Sequence, residues 1–237
     1  MDQKTVLITG STRGIGLKFA ELYKQRGWKV IGAARDVSQA EQLKALEPFK
    51  IVQLDSSDEA SILNAAKELK GEAIDLLINN AGVFAGGHMD ATTKNDLLQQ
   101  FEINSVGPFL VTRAFVSHLR LAVMAHGSSY VVHVTSRLGS IALCSKPYFD
   151  FKTGGYYGYR ASKAALNMIN ASLAVDLKPD GIGAFVLHPG FVMTDLTGNH
   201  GDVTAEASVS GMTRVIDSLA LADSGKFFDF KGEVQPW

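Results

Sequence analysis

Cysteine is almost missing from this chain: Cys144 is the only one in 237 residues. A single thiol cannot build an intrachain disulfide, so a disulfide-stapled scaffold is excluded and a reducing compartment is expected. No catalytic-cysteine context surrounds Cys144, which reads as a packed or partly exposed thiol. Charge of one sign is missing too. Lys and Arg total 23 against 24 Asp and Glu, a formal net charge of −1. Without a basic excess, neither nucleic acid nor an anionic membrane is expected as a partner. No run approaches the roughly 18 apolar residues of a membrane span. The apolar run at residues 5–8 is too short for a signal-peptide core and lacks a cleavage site. A cytoplasmic location is the simplest expectation. His88, His133 and His188 stand at no metal-ligand spacing, so no metal site is expected. Internal repeats, low-complexity tracts and Pro/Gly/Ser-rich linkers are absent as well.

What is present is a substantial core, with 46% apolar residues. Short runs rich in Val, Ile, Leu and Phe predict buried strands at residues 6–9, 29–33, 51–54, 74–79, 130–135, 184–188 and 227–230. Helix-periodic stretches fall between them at residues 15–26, 39–45, 59–69, 104–125 and 161–177. Such alternation predicts a doubly wound parallel sheet with helices on both faces, the three-layer αβα Rossmann fold. Residues 1–237 read as one domain. Three regions break the rhythm: residues 84–89, 139–157 and 191–205. Each follows the carboxyl end of a predicted strand, the edge where open α/β sheets hold ligands.

The first strand runs into Gly10-Ser11-Thr12-Arg13-Gly14-Ile15-Gly16 and then into a helix. A strand, a glycine turn and a helix N-terminus form an anion site suited to a pyrophosphate. The spacing is G-x-x-x-G-x-G rather than G-x-G-x-x-G. A tight turn is the bland alternative, and the position between first strand and first helix favours the nucleotide. The second strand ends in Ala34-Arg35-Asp36. Arg35, supported by Arg13, would accept a ribose 2′-phosphate, so NADP(H) is favoured over NAD(H). Asp36 is the counter-argument, since turned inward it would bind a 2′-hydroxyl. Asp55 is placed to accept from an adenine amino group, or equally to cap the turn after it. Asn79-Asn80-Ala81-Gly82 would line the adenine-ribose groove and tie the fourth strand to its neighbours.

A tyrosine and a lysine four residues apart, Tyr159 and Lys163, open a strong helix former. The spacing stacks them on one helix face. An ammonium beside a phenol favours the phenolate and makes the tyrosine a proton donor and acceptor. Tyr148 and Lys152 repeat the spacing upstream. Thr153-Gly154-Gly155 would end a helix there within a turn, whereas Tyr159 enters a long helical pattern. We therefore assign the proton chemistry to Tyr159.

With these residues in place the chain resembles the short-chain dehydrogenase/reductase family. The resemblance rests on Thr9-Gly10-x-x-x-Gly14-Ile15-Gly16, Asn79-Asn80-Ala81-Gly82, Asn104, Ser136, Tyr159-x-x-x-Lys163 and Pro189-Gly190 with Thr194, in the family's order. Within it, the run 155–167, Leu187-His188-Pro189-Gly190 and the tail from Phe227 to Trp237 are similar to the C-factor and sniffer-type carbonyl reductase group. The resemblance implies reduction of a ketone or aldehyde to an alcohol, or the reverse. Tyr159 would exchange a proton with the substrate oxygen and Ser136 would polarise it. Lys163 would lower the tyrosine pKa and hold the nicotinamide ribose. Asn104 would anchor a water that links Lys163 to solvent. Gly10, Ser11, Arg13, Gly14, Ile15, Gly16, Arg35, Asp55, Asn80, Ala81, Gly82, Tyr159, Lys163, Pro189, Gly190, Val192 and Thr194 would contact the cofactor. Ser136, Asn104 and Thr194 each also read as simple turn or helix caps.

One departure stands out. Tyr159 lies 23 positions after Ser136, and the family usually keeps this interval short. The difference marks an insertion near residues 144–153 holding Tyr148, Phe149 and Phe151. It is expected to form an apolar wall or lid at the substrate mouth, or else an ordered surface loop. The helix after it often joins subunits in the family, so the usual tetramer is in doubt and a homodimer is left open. Phe84, Leu138, Phe149, Phe151 and Phe191 suggest an apolar or aromatic substrate. The rival class is a non-catalytic NAD(P)-binding sensor or signalling protein of the same fold.

Overall fold

The chain is described over residues 3–144 and 154–237 in a computed structural model. Seven strands carry the fold: β1 (Thr5–Thr9), β2 (Lys29–Ala34), β3 (Lys50–Gln53), β4 (Leu76–Asn79), β5 (Ser129–Val134), β6 (Ile182–His188) and β7 (Phe227–Asp229). They form one all-parallel sheet in the order β3-β2-β1-β4-β5-β6-β7. The order reverses between β1 and β4, which opens a crevice outside their carboxyl ends.

Side chains alternate across the sheet because strand residues point to opposite faces. Val6, Ile8, Leu76, Ile78, Val132, Phe185 and Leu187 face one core. Leu7, Leu77, Val131, Ile182 and Ala184 face the other. Helices α1 (Gly14–Gln25) and α7 (Ala205–Ser218) cover the first face through Phe19, Tyr23, Val209 and Met212. Helices α3 (Glu59–Glu68), α5 (Gly107–His126) and α6 (Tyr157–Leu177) cover the second through Ile62, Phe115 and Leu173. The doubly wound, three-layer αβα architecture expected from the sequence is the one observed.

The remaining helices are α2 (Glu41–Ala45) and α4 (Lys94–Phe101). Neither α4 nor α7 was anticipated. α4 buries Gln100 and leaves Leu97 and Leu98 exposed, an inverted pattern that hides it from apolar periodicity. Its start is nonetheless written in Thr93 and Asp96, which form a capping box. A π-helical turn, Glu102–Val106, joins α4 to α5. The merged stretch Lys94–His126 is long and apolar enough, by length and composition, to cross a membrane. No such stretch was expected from the sequence. Here its apolar side packs on the sheet, with Val111, Phe115 and Leu119 fully buried. Helix α6 begins four residues earlier than its apolar pattern, at Tyr157. Residues 145–153, which include Tyr148, Phe149, Phe151 and Lys152 and most of the inferred insertion, lie outside the described residues.

Candidate active site

The carboxyl ends of β1, β2, β4, β5 and β6 deliver the predicted residues to one edge. Gly10 and Gly14 follow β1 with positive φ of 62° and 55°, a conformation that glycine adopts without strain. A Cβ on Gly16 would stand 2.2 Å from the Gly10 carbonyl oxygen and 2.5 Å from the Asn80 amide nitrogen. One on Gly10 would stand 2.9 Å from Ala81 Cα. The loop is therefore packed backbone against backbone. Helix α1 opens at Gly14 with no side-chain cap from Arg13 and no acidic residue in its first turn. Its first N–H groups and positive dipole end are left for an anion.

Several polar residues expected to touch a ligand are used by the protein itself. Ser11 is fully buried, and its hydroxyl donates to the Ala33 carbonyl at 3.1 Å. Asn80 donates from its side chain to the carbonyls of Thr9 (3.0 Å) and Gly10 (3.1 Å), clamping β4 to the glycine loop. Asp55 accepts from the backbone and hydroxyl of Ser57, both at Oδ1, as expected of a turn cap. Asp36 accepts from the Ser38 hydroxyl at 2.6 Å and backbone N–H at 2.9 Å. Those bonds hold its carboxyl below the usual range and cap a short 3-10 turn, Val37–Gln39. Arg35 is exposed. Arg13 reaches Asp195 at 3.4 Å in a solvent-exposed pair of little energetic weight. That pair spans the crevice mouth toward the segment after β6. Thr194 caps the turn Asp195–Thr197, and its Cγ2 lies 3.6 Å from where a Gly14 Cβ would stand. Gly190 has φ 88°, and Val192 is buried and bridged to Val203. Pro189 accepts at its carbonyl from the Ser208 hydroxyl.

The second half of the edge converges on Tyr159. Tyr159 and Lys163 lie one turn apart on α6, with Nζ 5.8 Å from the phenol ring centroid. Ser136, two residues past the end of β5, lies near enough to the phenol for its hydroxyl to lower its pKa. The same hydroxyl accepts from Leu138 N–H at 3.2 Å and so caps the turn Arg137–Gly139. Capping and active-site placement coexist in one side chain. Burial pushes the Tyr159 phenol up to about 12, partly offset by the Ser136 hydrogen bond. Burial also pushes Lys163 down to about 8. The expected lowering of the tyrosine by the lysine is not what the geometry gives. Lys163 Nζ donates to the Val134 carbonyl at 2.8 Å, and desolvation disfavours both charged forms.

Asn104 is fully buried in the π-helical turn, a kind of irregularity frequent at functional sites. Its carboxamide accepts from Val83 N–H (2.8 Å) and donates to Val83 O (2.9 Å) and Ser162 Oγ (3.0 Å). It braces the chain after Asn80-Ala81-Gly82 beside Lys163. Around the phenol, Phe84 packs edge-on against Tyr159 at 5.0 Å and against Tyr156 at 5.1 Å. Leu138 is half-buried and Phe191 exposed at the same edge; Phe149 and Phe151 lie outside the described residues. Two contributors escaped the sequence reading. Tyr156 holds a left-handed backbone, φ 52°, just before α6. Gln100 accepts from Ala85 N–H and fixes the loop that presents Phe84. The only hint of Gln100 is Gly158, where a Cβ would stand 2.4 Å from the Gln100 amide nitrogen.

Known proteins share this layout. Residues 4–204 match the short chain dehydrogenase family. C-signal of Myxococcus xanthus is 44% identical over 168 residues, covering 69% of this chain and 93% of that protein. The 1-hydroxy-2-glutathionyl-2-methyl-3-butene dehydrogenase of Rhodococcus sp. (strain AD45) is 32% identical, covering 98% of this chain and 99% of its own. The structure of the NADPH-bound carbonyl reductase from chicken fatty liver superposes with a TM-score of 0.89 at 33% identity, covering all of both chains. The glycine loop, the Ser136–Tyr159–Lys163 edge and these likenesses converge: the chain belongs to the short chain dehydrogenase family and is an oxidoreductase of its carbonyl reductase-like group.

Proposed function

We propose that this enzyme, a single catalytic domain, uses NADPH to reduce an apolar or aromatic ketone or aldehyde, with Tyr159 as proton donor. The observation that carries the reading is Lys163 Nζ 5.8 Å from the Tyr159 ring centroid on one face of α6, with Ser136 acting on the same phenol, beside the glycine loop. The residues fit a dinucleotide. The uncapped start of α1 and the side-chain-free approach at Gly10, Gly14 and Gly16 suit a pyrophosphate. Gly82 is the corresponding opening near Lys163 Nζ, which would stand 3.8 Å from a Cβ there. NADPH is favoured over NADH because Asp36 is occupied as a cap while Arg35 is free to meet a 2′-phosphate. Thr194 and Val192 would border the nicotinamide, as would the Pro189-Gly190 turn.

When bound, the nicotinamide supplies the hydride. The chain's own residues handle the oxygen. Ser136 donates a hydrogen bond to the carbonyl and strengthens it as negative charge develops. Tyr159 gives that oxygen its proton. A phenol at about 12 stays protonated at neutral pH, the form a reduction needs. Lys163, near 8, is still mostly protonated at neutral pH and as the ammonium can return a proton to the phenolate. Asn104 spends its carboxamide on Val83 and Ser162, so a relay water would be held by the backbone of the π-helical turn. Phe84 and Tyr156 present flat apolar surface next to the phenol, which supports an aromatic or apolar substrate. A cytoplasmic setting and a small-molecule partner belong to this reading.

The C-signal likeness favours a second reading, a nucleotide-binding signalling protein. Turnover separates the two. Purified enzyme with NADPH and a panel of aromatic and aliphatic carbonyls should oxidise the cofactor. Tyr159→Phe should lower kcat at least about 100-fold while NADPH affinity stays within about threefold. No turnover on any carbonyl, or full activity in Tyr159→Phe, defeats the proposal.

A further inference from the structure

Helix α6 carries a third polar residue on the face of Tyr159 and Lys163. Asn167 follows Lys163 by one turn and is 3% exposed. Both ends of its amide are used. Thr135 donates its hydroxyl to Asn167 Oδ1 at 2.6 Å, and Asn167 Nδ2 donates to the Gly139 carbonyl at 3.3 Å. Thr135 immediately precedes Ser136, and Gly139 ends the turn that Ser136 caps. One side chain therefore grips the chain on both sides of Ser136. Backbone packing supports the grip: a Cβ on Gly139 would stand 2.7 Å from the Lys163 carbonyl carbon. The turn rests directly on the helix that bears the tyrosine. Asn170, three residues on, is a useful contrast. It is fully buried too, yet neither of its amide atoms has a partner among the described residues.

We propose that Asn167 is a positioning residue that acts through Thr135 and Gly139 to hold the Ser136 hydroxyl against Tyr159. The inference rests on the reductase reading above. Donating its one proton to a substrate carbonyl that also lies within reach of the phenol demands a hydroxyl placed to a fraction of an ångström, and a 1 Å error can cost about 100-fold in rate. Apart from the Tyr159 phenol itself, no other polar side chain of α6 reaches the Ser136 turn among the hydrogen bonds of the described residues.

The test is a double-mutant cycle on kcat and on KM for NADPH. Asn167→Ala should lower kcat about 10-fold or more with KM for NADPH unchanged within about twofold. In a Ser136→Ala background the same substitution should cost less than about twofold, because the group it positions is gone. Thr135→Val, which deletes only the hydroxyl donor, should give a smaller loss of the same kind and serves if Asn167→Ala folds poorly. Asn170→Ala should leave kcat within about twofold. A full additional loss from Asn167→Ala on top of an impaired Ser136→Ala overturns the positioning role alone. Equal losses from Asn170→Ala and Asn167→Ala do the same, since they mean general softening of α6. An unimpaired Ser136→Ala overturns both this inference and the catalytic reading of Ser136.

Discussion

On the β1–β2–β4 side of the crevice, the decisive positions are those without side chains, and the polar side chains nearby are tied into the protein. On the β5–β6 side, the decisive positions are side chains that reach one another. Gly16 tolerates no added atom, while Ser11, Asn80, Asp55 and Asp36 spend their hydrogen bonds on backbone or on a neighbouring serine. Across the switch point, Ser136 meets Tyr159 and both Tyr159 and Lys163 are strongly perturbed by burial. The first half is a rigid mould for a ligand that brings its own charge. The second is a partly buried edge in which desolvation is the main cause of the Tyr159 and Lys163 shifts. On the proposed function, the contrast teaches that binding would be shaped by excluded volume and chemistry by desolvation.

The largest effect expected from this contrast lies in the mould. Gly16→Ala places a methyl 2.2 Å from the Gly10 carbonyl oxygen, so the loop backbone must move. NADPH affinity should fall by more than about 100-fold, roughly 3 kcal/mol, as read by isothermal titration or cofactor fluorescence. Tight NADPH binding by Gly16→Ala would show that the loop yields and that excluded volume does not shape it.

The next effect concerns the second half and its pH dependence. The Tyr159 phenol is raised to about 12, so its neutral form persists across pH 6–10. Reduction, which needs that form, should show no loss from Tyr159 in this range. Alcohol oxidation needs the phenolate, whose fraction rises tenfold per pH unit below 12. Its kcat/KM should therefore climb with a slope near one, about 100-fold between pH 7 and 9. Ser136→Ala removes the hydrogen bond that lowers the phenol and should depress the oxidation limb further at every pH. A plateau in oxidation already at pH 7 would mean a phenol pulled down rather than pushed up, and desolvation would lose its place in the comparison.

The sequence made the mould's existence plain and its wiring opaque. Glycines between a buried strand and a helix announce an anion turn, and seven short apolar runs announce the sheet, because complete burial leaves an unbroken apolar signature. Tyr159 and Lys163 were legible because helical spacing alone puts them together. The direction of their titration was not, since desolvation depends on how α6 and the Ser136 turn close over them. Asp36 and Asp55 carry a ligand-facing and a capping reading in one dimension, and the bonds from Ser38 and Ser57 that realise the capping one appear only in the fold. Helix α4 was hidden because Gln100 goes inward and Leu98 outward, against the apolar rule, for the sake of the loop at Ala85.

The smallest effect tests whether the mould's rim, rather than its floor, selects the cofactor. Arg35 and Asp36 stand side by side after β2, and the backbone turn at Val37–Gln39 separates their tasks. Asp36 is tied to this turn by two bonds from Ser38, both to Oδ1, which hold its carboxylate to its own loop. Arg35 has solvent around it and can add a charge-assisted bond to a 2′-phosphate, worth about 1.5–3 kcal/mol. Arg35→Ala should therefore weaken NADPH about 10- to 100-fold and leave NADH nearly unchanged, narrowing the preference without abolishing binding. Ser38→Ala is the complementary variant: freed of its hydroxyl partner, Asp36 can turn inward, and NADH should gain a few-fold relative to NADPH. Competitive titration of both cofactors against wild type and the two variants reads the shift directly. Should Arg35→Ala leave the ratio untouched, the charge at this rim comes from Arg13, which its exposed pairing with Asp195 leaves able to swing toward the ribose.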